Sequence, residues 1–211
     1  MINSVSENHG LALMTQKDKM IYSVGISTGG LAEIRMVTGD PERTIIATTI
    51  DQAGADFASE QISKRQLDDQ ITIKIEDVAQ PLPYADESFD FIYARLVLHY
   101  LPKISLERAL MELYRILKPG GKLFVVVRSK DCIEARGFTP DAITEMTTYV
   151  SVSGGTYSRF FHDTDSISSF LVQAGFQIIH AKTYEEQLCI DFQRTKLSPE
   201  IDSLIEVFVS K

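Results

Sequence analysis

The chain has 211 residues, of which 44% are hydrophobic, and a formal net charge of −8. This length and apolar content predict one domain with a sizeable core, spanning 1–211. The acidic balance argues against a nucleic-acid partner, which usually requires a basic excess. No apolar run reaches the roughly 18 residues of a membrane-spanning helix, and the polar N-terminus lacks the pattern of a secretory signal. We therefore expect no membrane partner and a cytoplasmic location.

Cys132 and Cys189 are the only cysteines of the sequence. They lie far apart and form no C-x-x-C pair, so neither a disulfide framework nor a zinc site is predicted. We expect two buried free thiols, which is the usual state of unpaired cysteine, and no bound metal.

The first half of the chain alternates predicted strands and helices. Residues 1–19 are polar and are interpreted as a loose N-terminal arm with room for one short helix. Residues 20–24 combine β-branched and aromatic side chains before a glycine, which predicts a strand. Helical spacing runs from Leu31 to Val37 and ends at the sequence Gly-Asp-Pro. Further strands are predicted over 44–50 and 71–75, with a helix over 53–65 between them.

The second half begins with a predicted strand over 89–93. An apolar stripe predicts a helix over 105–117, which the sequence Lys-Pro-Gly-Gly ends. Residues 122–127 are continuously apolar, as expected for a strand covered on both faces. Residues 129–162 are mixed in character and predict no clear element. The chain is predicted to close with a helix over 163–174 and strands over 175–179 and 201–209.

The alternation over 20–128 predicts an open α/β sheet of parallel strands joined by right-handed crossovers. The loop after the first strand reads Gly-Ile-Ser-Thr-Gly-Gly at residues 25–30. Its G-x-S-x-G pattern matches a hydrolase nucleophile elbow, with Ser27 as the nucleophile. It also matches a cofactor-binding turn between a strand and a helix. We favour the cofactor loop, because nothing before residue 25 resembles the oxyanion loop of a hydrolase.

Acidic residues at the next two strand ends support the cofactor loop. Asp51 follows the second predicted strand and Asp77 follows the third. In such sheets, an acidic residue about 20 positions beyond the glycine loop accepts hydrogen bonds from ribose hydroxyls. All these strand ends belong to the carboxyl edge, where open α/β sheets bind ligands. Taken singly, Asp51 is equally well explained as a helix N-cap and Asp77 as a turn residue.

At this point the sequence resembles the class I S-adenosylmethionine-dependent methyltransferases, in particular their small-molecule branch, the UbiE or type 11 group. The most specific stretches are PLPYADESFDFIYARLVLHYL at 81–101 and ALMELYRILKPGGKLFVVV at 109–127. The resemblance covers residues 20–128, and more weakly 157–180, where YSRFF and LVQAGFQII resemble the C-terminal helix and strand of the family.

The resemblance implies a Rossmann-like open sheet of about seven strands, mostly parallel with an antiparallel last strand, and helices on both faces. It implies S-adenosyl-L-methionine as the cofactor and a small-molecule methyl acceptor. Residues 20–128 would form the cofactor-binding core, 129–162 a segment that covers the substrate, and 163–211 a C-terminal helix and strands.

The resemblance also assigns a cofactor site, which comprises Ser23, Gly25, Ser27, Gly29, Asp51, Gln52, Asp77, Val78, Ala94 and Arg95. The glycine loop would surround the methionine part of the cofactor. Asp51 and the residue after it would bind the ribose. Asp77 would face the adenine amino group, and the next backbone amide would meet the edge of the ring. The two residues just after the fourth strand would lie under the cofactor.

The loop departs from the family pattern at two positions. Members of the family commonly have an acidic residue followed by G-x-G-x-G, and this chain has Ser23 and Ser27 at the acidic and middle-glycine positions. A serine at position 27 adds a Cβ where the backbone should approach the cofactor closely. A serine at position 23 removes a negative charge near the cationic end of the cofactor.

Residues on the acceptor side are less well defined by the sequence. His99 is a candidate base, Arg95 a candidate partner for an acidic substrate, and Tyr157 a candidate pocket residue. A packed histidine is the favoured interpretation of the first, whereas a structural salt bridge and a solvated or packed loop explain the other two about as well as a functional role. Because the N-terminal arm is short, the pocket is expected to be open or to be completed by a second subunit in a homodimer. Gly154 and Gly155 are a candidate hinge for a lid.

Two alternative functions differ from a small-molecule methyltransferase. The altered loop is consistent with a catalytically silent relative that acts through cofactor or protein binding. An NAD-dependent oxidoreductase on the same sheet is disfavoured, because residues 25–30 do not fit the G-x-G-x-x-G pattern.

Overall fold

The computed structural model of the chain describes residues 2–26, 28–150, 155–191 and 194–211. The strands are β1 (Met20–Val24), β2 (Thr44–Thr49), β3 (Ile71–Ile75), β4 (Phe89–Arg95), β5 (Leu117–Arg128), β6 (Thr147–Val150), β7 (Thr156–Arg159), β8 (Gln177–Glu186) and β9 (Asp202–Ser210). The helices are α1 (Val5–Ala12), α2 (Leu31–Gly39), α3 (Gln52–Ser63), α4 (Lys103–Ile116) and α5 (Thr164–Gln173).

The described residues form a seven-stranded sheet in the order β3-β2-β1-β4-β5-β9-β8. Neighbouring strands from β3 to β5 are parallel, whereas β9 is antiparallel to both β5 and β8. The predicted fold class is therefore confirmed, including the antiparallel last strand. None of the described helices has both the length and the apolar character needed to cross a bilayer.

Two apolar layers cover the sheet, one on each face. Leu110 of α4 and Leu171 of α5 pack against one face, where they meet Val125 of β5. Met36 of α2 packs against the other face, where it belongs to the same cluster as Phe124 of β5. Strand β5 therefore buries successive side chains on opposite faces, which explains its continuous apolar run.

Three parts of the chain differ from the sequence prediction. Helix α4 ends at Ile116, and the Lys-Pro-Gly-Gly sequence already belongs to β5, where Gly120 N donates to Lys211 O at 3.0 Å. Strand β8 continues to Glu186, because β9 provides antiparallel partners along its whole length. The mixed segment 129–162 contains the hairpin β6–β7, in which Tyr149 pairs with Tyr157.

The polar segment expected to be a loose arm contains α1, which packs against the sheet. Gly10 lies so close to β5 that a Cβ at this position would be 2.6 Å from the ring of Phe124. Glu7 is fully buried and forms ion pairs with Arg194 and with Arg35, the latter at 2.7 Å. No apolar stripe marks α1 in the sequence, because ion pairs and small residues hold it in place.

The Glu7 carboxylate links α1 to the rest of the molecule. Burial alone would raise the pKa of Glu7, but the hydrogen bonds and positive charges of Arg194 and Arg35 outweigh it and lower that pKa below its usual value. A carboxyl group whose pKa is lower in the folded than in the unfolded chain stabilises the fold above the unfolded pKa of about 4.3. This contribution is lost as the pH falls through the folded pKa.

We predict that Glu7→Ala lowers the free energy of unfolding by about 3–5 kcal/mol near neutral pH, because it leaves Arg194 buried without its partner. Urea denaturation measures this loss, and the difference from the unaltered chain should narrow as the pH falls below about 4. The control is Glu60→Ala, which removes the exposed Glu60–Lys64 pair and should cost no more than about 1 kcal/mol. Equal losses in the two variants would contradict the assignment.

Candidate functional site

The loops that follow β1 to β4 lie along one edge of the sheet, because these adjacent strands are parallel. Three neighbouring strands are followed by residues predicted to bind the cofactor. Gly25 directly follows β1, Asp51 lies two residues after β2, and Asp77 lies two residues after β3. The loop after β1 is joined to the end of β2 by a hydrogen bond from Ile26 N to Thr48 O at 2.6 Å. After β3 the chain returns to the other side of β1, which makes this edge the topological switch point where α/β sheets bind ligands.

The glycine loop has the backbone geometry of a close-approach turn. The φ angles are +69° at Gly25, +63° at Gly29 and +71° at Gly30. Residues other than glycine rarely adopt this left-handed backbone region. A Cβ on Gly25 would lie 2.7 Å from Cγ2 of Val97, which follows β4. The prediction for Ser27 falls outside the described residues.

A buried carboxylate lies behind the glycine loop. Ser23, the position at which the resembled family has an acid, donates its hydroxyl proton to Glu33 Oε1 at 2.6 Å. Both residues are fully buried. Glu33 lies in the first turn of α2, where the helix dipole favours a negative charge. The chain therefore has a carboxylate within hydrogen-bond distance of the position where its sequence lacks one.

Asp51 combines an exposed carboxylate with a helix cap. Its side chain accepts hydrogen bonds from Ala53 N at 3.3 Å and Gly54 N at 2.9 Å and so caps α3. The side chain of Gln52 donates to Asp56 at 2.8 Å, along the helix surface. A carboxylate has about four acceptor positions, so the Asp51 cap leaves acceptor capacity on the ligand-binding edge.

The two acidic residues that follow β3 have different environments. Asp77 is exposed and accepts a hydrogen bond from the backbone amide two residues on, at 2.9 Å. The side chain of Val78 is buried in the core, which leaves its backbone as the part available to a ligand. Glu76 accepts hydrogen bonds from the hydroxyls of Tyr22 and Tyr84, the latter at 3.0 Å. Glu76 directly precedes Asp77 but is not among the residues predicted from the sequence.

The two predicted residues at the end of β4 have structural contacts. Ala94 is fully buried in the apolar core. The Arg95 guanidinium donates to the hydroxyls of Ser6 at 2.6 Å and Ser4 at 2.8 Å, and lies 3.8 Å from Glu186. Arg95 therefore fastens the start of α1 to the sheet, which corresponds to the structural salt bridge considered from the sequence.

His99 and Tyr157 occupy contrasting environments. His99 is buried, and neither ring nitrogen has a hydrogen-bond partner among the described residues. Burial, together with the positive charges of Arg159 and Arg128, lowers the pKa of His99 well below its usual value. The ring is therefore neutral near pH 7, as a packed histidine would be. Tyr157 is 40% exposed and lies in the wall of a cavity.

That cavity, here called the aromatic cavity, has a volume of about 650 Å³. It lies beyond the carboxyl ends of β4 and β5, between the hairpin β6–β7 and the segment that precedes β9. Its described lining residues are Tyr100, Arg128, Ile133, Glu134, Phe138, Tyr149, Val150, Tyr157, Arg159, Leu188, Cys189, Ile190, Ser198, Glu200 and Asp202. The described lining includes no residue of the glycine loop, but both lie at the same edge of the sheet, because β1, β4 and β5 are parallel.

Arg159 organises the aromatic wall of this cavity. Its guanidinium carbon lies 5.2, 5.4 and 5.6 Å from the ring centres of Tyr100, Tyr149 and Tyr157. The side chain also forms an ion pair with Glu134 at 2.9 Å. Cation–π contacts of this kind hold aromatic rings in fixed positions, so the wall is preformed.

A group of candidate metal ligands lies near this aromatic wall. Cys132, Glu134 and Asp202 bring their ligand atoms within 4.8 Å of one another. Arg128, however, donates to both carboxylates, to Glu134 at 2.6 Å and to Asp202. A guanidinium therefore occupies the position that a cation would need, and the prediction of no metal stays a prediction.

Comparison with known proteins identifies the family. A profile described as "Methyltransferase domain" matches residues 22–125. The chain is 31% identical over 112 residues to the ubiquinone/menaquinone biosynthesis C-methyltransferase UbiE of Klebsiella pneumoniae. This aligned region covers 48% of this chain and 44% of that protein. The chain is 29% identical over 130 residues to 27-O-demethylrifamycin SV methyltransferase of Amycolatopsis mediterranei, and the alignment covers 60% of this chain and 46% of that protein. A methyltransferase structure from Methanosarcina mazei superposes with a TM-score of 0.76 at 18% identity, over 93% of this chain and 94% of that one.

Residues 22–125 belong to the class I S-adenosylmethionine-dependent methyltransferase family. Family membership confirms the resemblance seen in the sequence and supports neither the hydrolase nor the dinucleotide interpretation of the glycine loop. The methyltransferase-like chain spans less than half the length of the two curated relatives given above.

We predict that Gly25→Ala destabilises this methyltransferase-family chain more than Gly120→Ala. Both glycines have positive φ angles, so both variants should lose roughly 1–2 kcal/mol from left-handed backbone strain. Only Gly25 has a close neighbour, since nothing lies within 4 Å of a Cβ on Gly120. The clash with Val97 should add roughly 1–3 kcal/mol, measured by urea unfolding. Adding Val97→Ala to Gly25→Ala should remove most of the excess, and an unchanged excess would contradict the close approach.

Proposed function

We propose that this chain transfers a methyl group from S-adenosylmethionine to a small-molecule acceptor. The observation that carries the proposal is the convergence of three neighbouring strand ends, with their glycine loop, Asp51 and Asp77, at the edge of the sheet that also holds the aromatic cavity. The glycine loop fits the cofactor, because Gly25 and Gly29 keep the backbone free of side chains where a ligand must approach.

The chain's own residues hold and orient the reactants in this proposal. When bound, S-adenosylmethionine supplies a methyl group on a sulfonium, which is already an activated leaving group. The loop backbone and Asp51 hold the cofactor, and the aromatic cavity holds the acceptor beside it, so that positioning provides most of the rate. A general base is required only if the acceptor must lose a proton. The buried neutral His99 is poorly placed for this role, since its ring does not line the cavity.

We further propose that Glu33 takes the electrostatic role of the acid that the sequence lacks at Ser23. The two side chains share a hydrogen bond of 2.6 Å, so the carboxylate is displaced by one side chain and is not lost. With a carboxylate beside this position, the altered loop no longer favours a catalytically silent relative. A cytoplasmic location and a homodimer stay predictions from the sequence.

We predict that Asp51→Ala weakens S-adenosylhomocysteine binding by about 1.5–3 kcal/mol, the range for hydrogen bonds to a charged group. Isothermal titration calorimetry measures this change. Asp163→Ala is the matched control, because Asp163 also caps a helix through its side chain, at the start of α5. Both variants should lose about 1 kcal/mol of stability, and only the first should lose affinity. An unchanged affinity in Asp51→Ala would contradict the ribose assignment.

We predict that Glu33→Gln weakens binding of S-adenosylmethionine more than that of S-adenosylhomocysteine, because only the former carries a sulfonium charge. The loss of binding free energy should be larger for S-adenosylmethionine by on the order of 1 kcal/mol, the interaction expected between the Glu33 carboxylate and the sulfonium in a medium of intermediate dielectric. Placing the acid back at the family position, in the double variant Ser23→Asp/Glu33→Gln, should restore the preference. Equal effects on both ligands, without rescue in the double variant, would show that Glu33 is only structural.

A further inference from the structure

The aromatic cavity brings together six of the sixteen large apolar side chains that are exposed among the described residues. Among the described residues, six large apolar side chains that stay exposed line it: Tyr100, Ile133, Phe138, Val150, Tyr157 and Ile190. Val150 is 67% exposed and Ile190 is 65% exposed. Exposed apolar residues are ordinary when scattered, but a contiguous set around a concave surface marks a binding site.

The volume of the cavity suits a small organic molecule. Ligand sites for such molecules typically occupy about 300–1,000 Å³ and are lined by apolar and aromatic side chains with a few polar groups. At about 650 Å³, the aromatic cavity lies inside this range. Flat rings in its wall favour a flat occupant, since stacked and edge-to-face aromatic pairs gain stability beyond that of their buried area.

The charges of the cavity argue against an anionic occupant. Arg159 is paired with Glu134, and Arg128 is paired with both Glu134 and Asp202. Both guanidinium groups are largely buried in these pairs, with side chains 9% and 11% exposed. An incoming carboxylate or phosphate would have to break one of these pairs, and breaking a buried pair is costly.

One carboxylate of the cavity lacks such a partner. Glu200 lines the cavity and its side chain forms no ion pair with the described residues. A free carboxylate accepts hydrogen bonds and offers no donor. An occupant with an O–H or N–H group therefore satisfies it, whereas an organic cation is disfavoured at the tyrosines because Arg159 already occupies the centre of their cage.

We infer that the aromatic cavity receives an uncharged, planar aromatic methyl acceptor that carries a hydroxyl or amine group. The ring system packs against Tyr157 and Ile190, and the O–H or N–H group faces Glu200. This inference rests on the proposed function, because it names the substrate class of the same site. Its test is a binding measurement that does not require methyl transfer.

The probes are 2-naphthol and 2-naphthoate, which share one ring system and differ in charge near pH 7. Each is titrated into the full chain in the presence of S-adenosylhomocysteine, and binding is followed by saturation-transfer NMR. We expect 2-naphthol to bind at least about tenfold more tightly than 2-naphthoate. Tyr157→Ala and Ile190→Ser should each weaken 2-naphthol binding about five- to tenfold, as truncation of a contact residue that the ligand covers does.

Ile179→Ser is the matched control, because Ile179 is 51% exposed on β8 and does not line the cavity. It should leave 2-naphthol binding unchanged. The inference would be overturned if 2-naphthoate bound more tightly than 2-naphthol. It would also be overturned if both cavity variants bound 2-naphthol as tightly as the unaltered chain. S-adenosylhomocysteine affinity is recorded for every variant, so that failure of the cofactor site, and with it of the proposed function, is recognised separately.

Discussion

Strand β1 is hydrogen-bonded in parallel to β2 on one side and to β4 on the other, and these two pairings determine where everything functional lies. Parallel pairing sends the glycine loop and the residues after β2 to the same edge, and the residues after β4 close against that loop through the contact of Val97 with Gly25. The aromatic cavity lies at this same edge, beyond the carboxyl ends of β4 and β5. A ligand at the glycine loop and a ligand in the cavity would therefore share one edge of the sheet.

Buried charges attach the irregular parts of the chain to this sheet. Glu7 holds α1 through Arg194 and Arg35, and Glu134 joins Arg128 of the sheet to Arg159 of the hairpin. Each arginine in these clusters is matched by carboxylates, which keeps the cost of burial tolerable. The same matching leaves no unpaired cation among the described residues that line the cavity, which supports the proposal of an uncharged ligand.

The sheet could be predicted from the sequence because its information is local. Alternation in β3, the apolar run in β5 and the glycine loop after β1 are all visible within a few residues. The contacts that complete the site are long-range: Val5 N donates to Glu186 across 181 positions, and Arg159 reaches Glu134 from another element. Glu33 was also missed, because only the turn of α2 brings its carboxylate back to Ser23. The hairpin β6–β7 carries polar residues on both strands, so its pattern indicated no strand.

The central claim is that one edge of the sheet holds an adenosyl group with its reactive end toward the aromatic cavity. A crystal structure with S-adenosylhomocysteine bound tests this claim most directly. The account predicts the ribose hydroxyls within hydrogen-bond distance of Asp51, the methionine part against the loop at Gly25 and Gly29, and the sulfur facing the cavity lined by Tyr100 and Tyr157. A ligand bound elsewhere, or a sulfur facing away from that cavity, would contradict it.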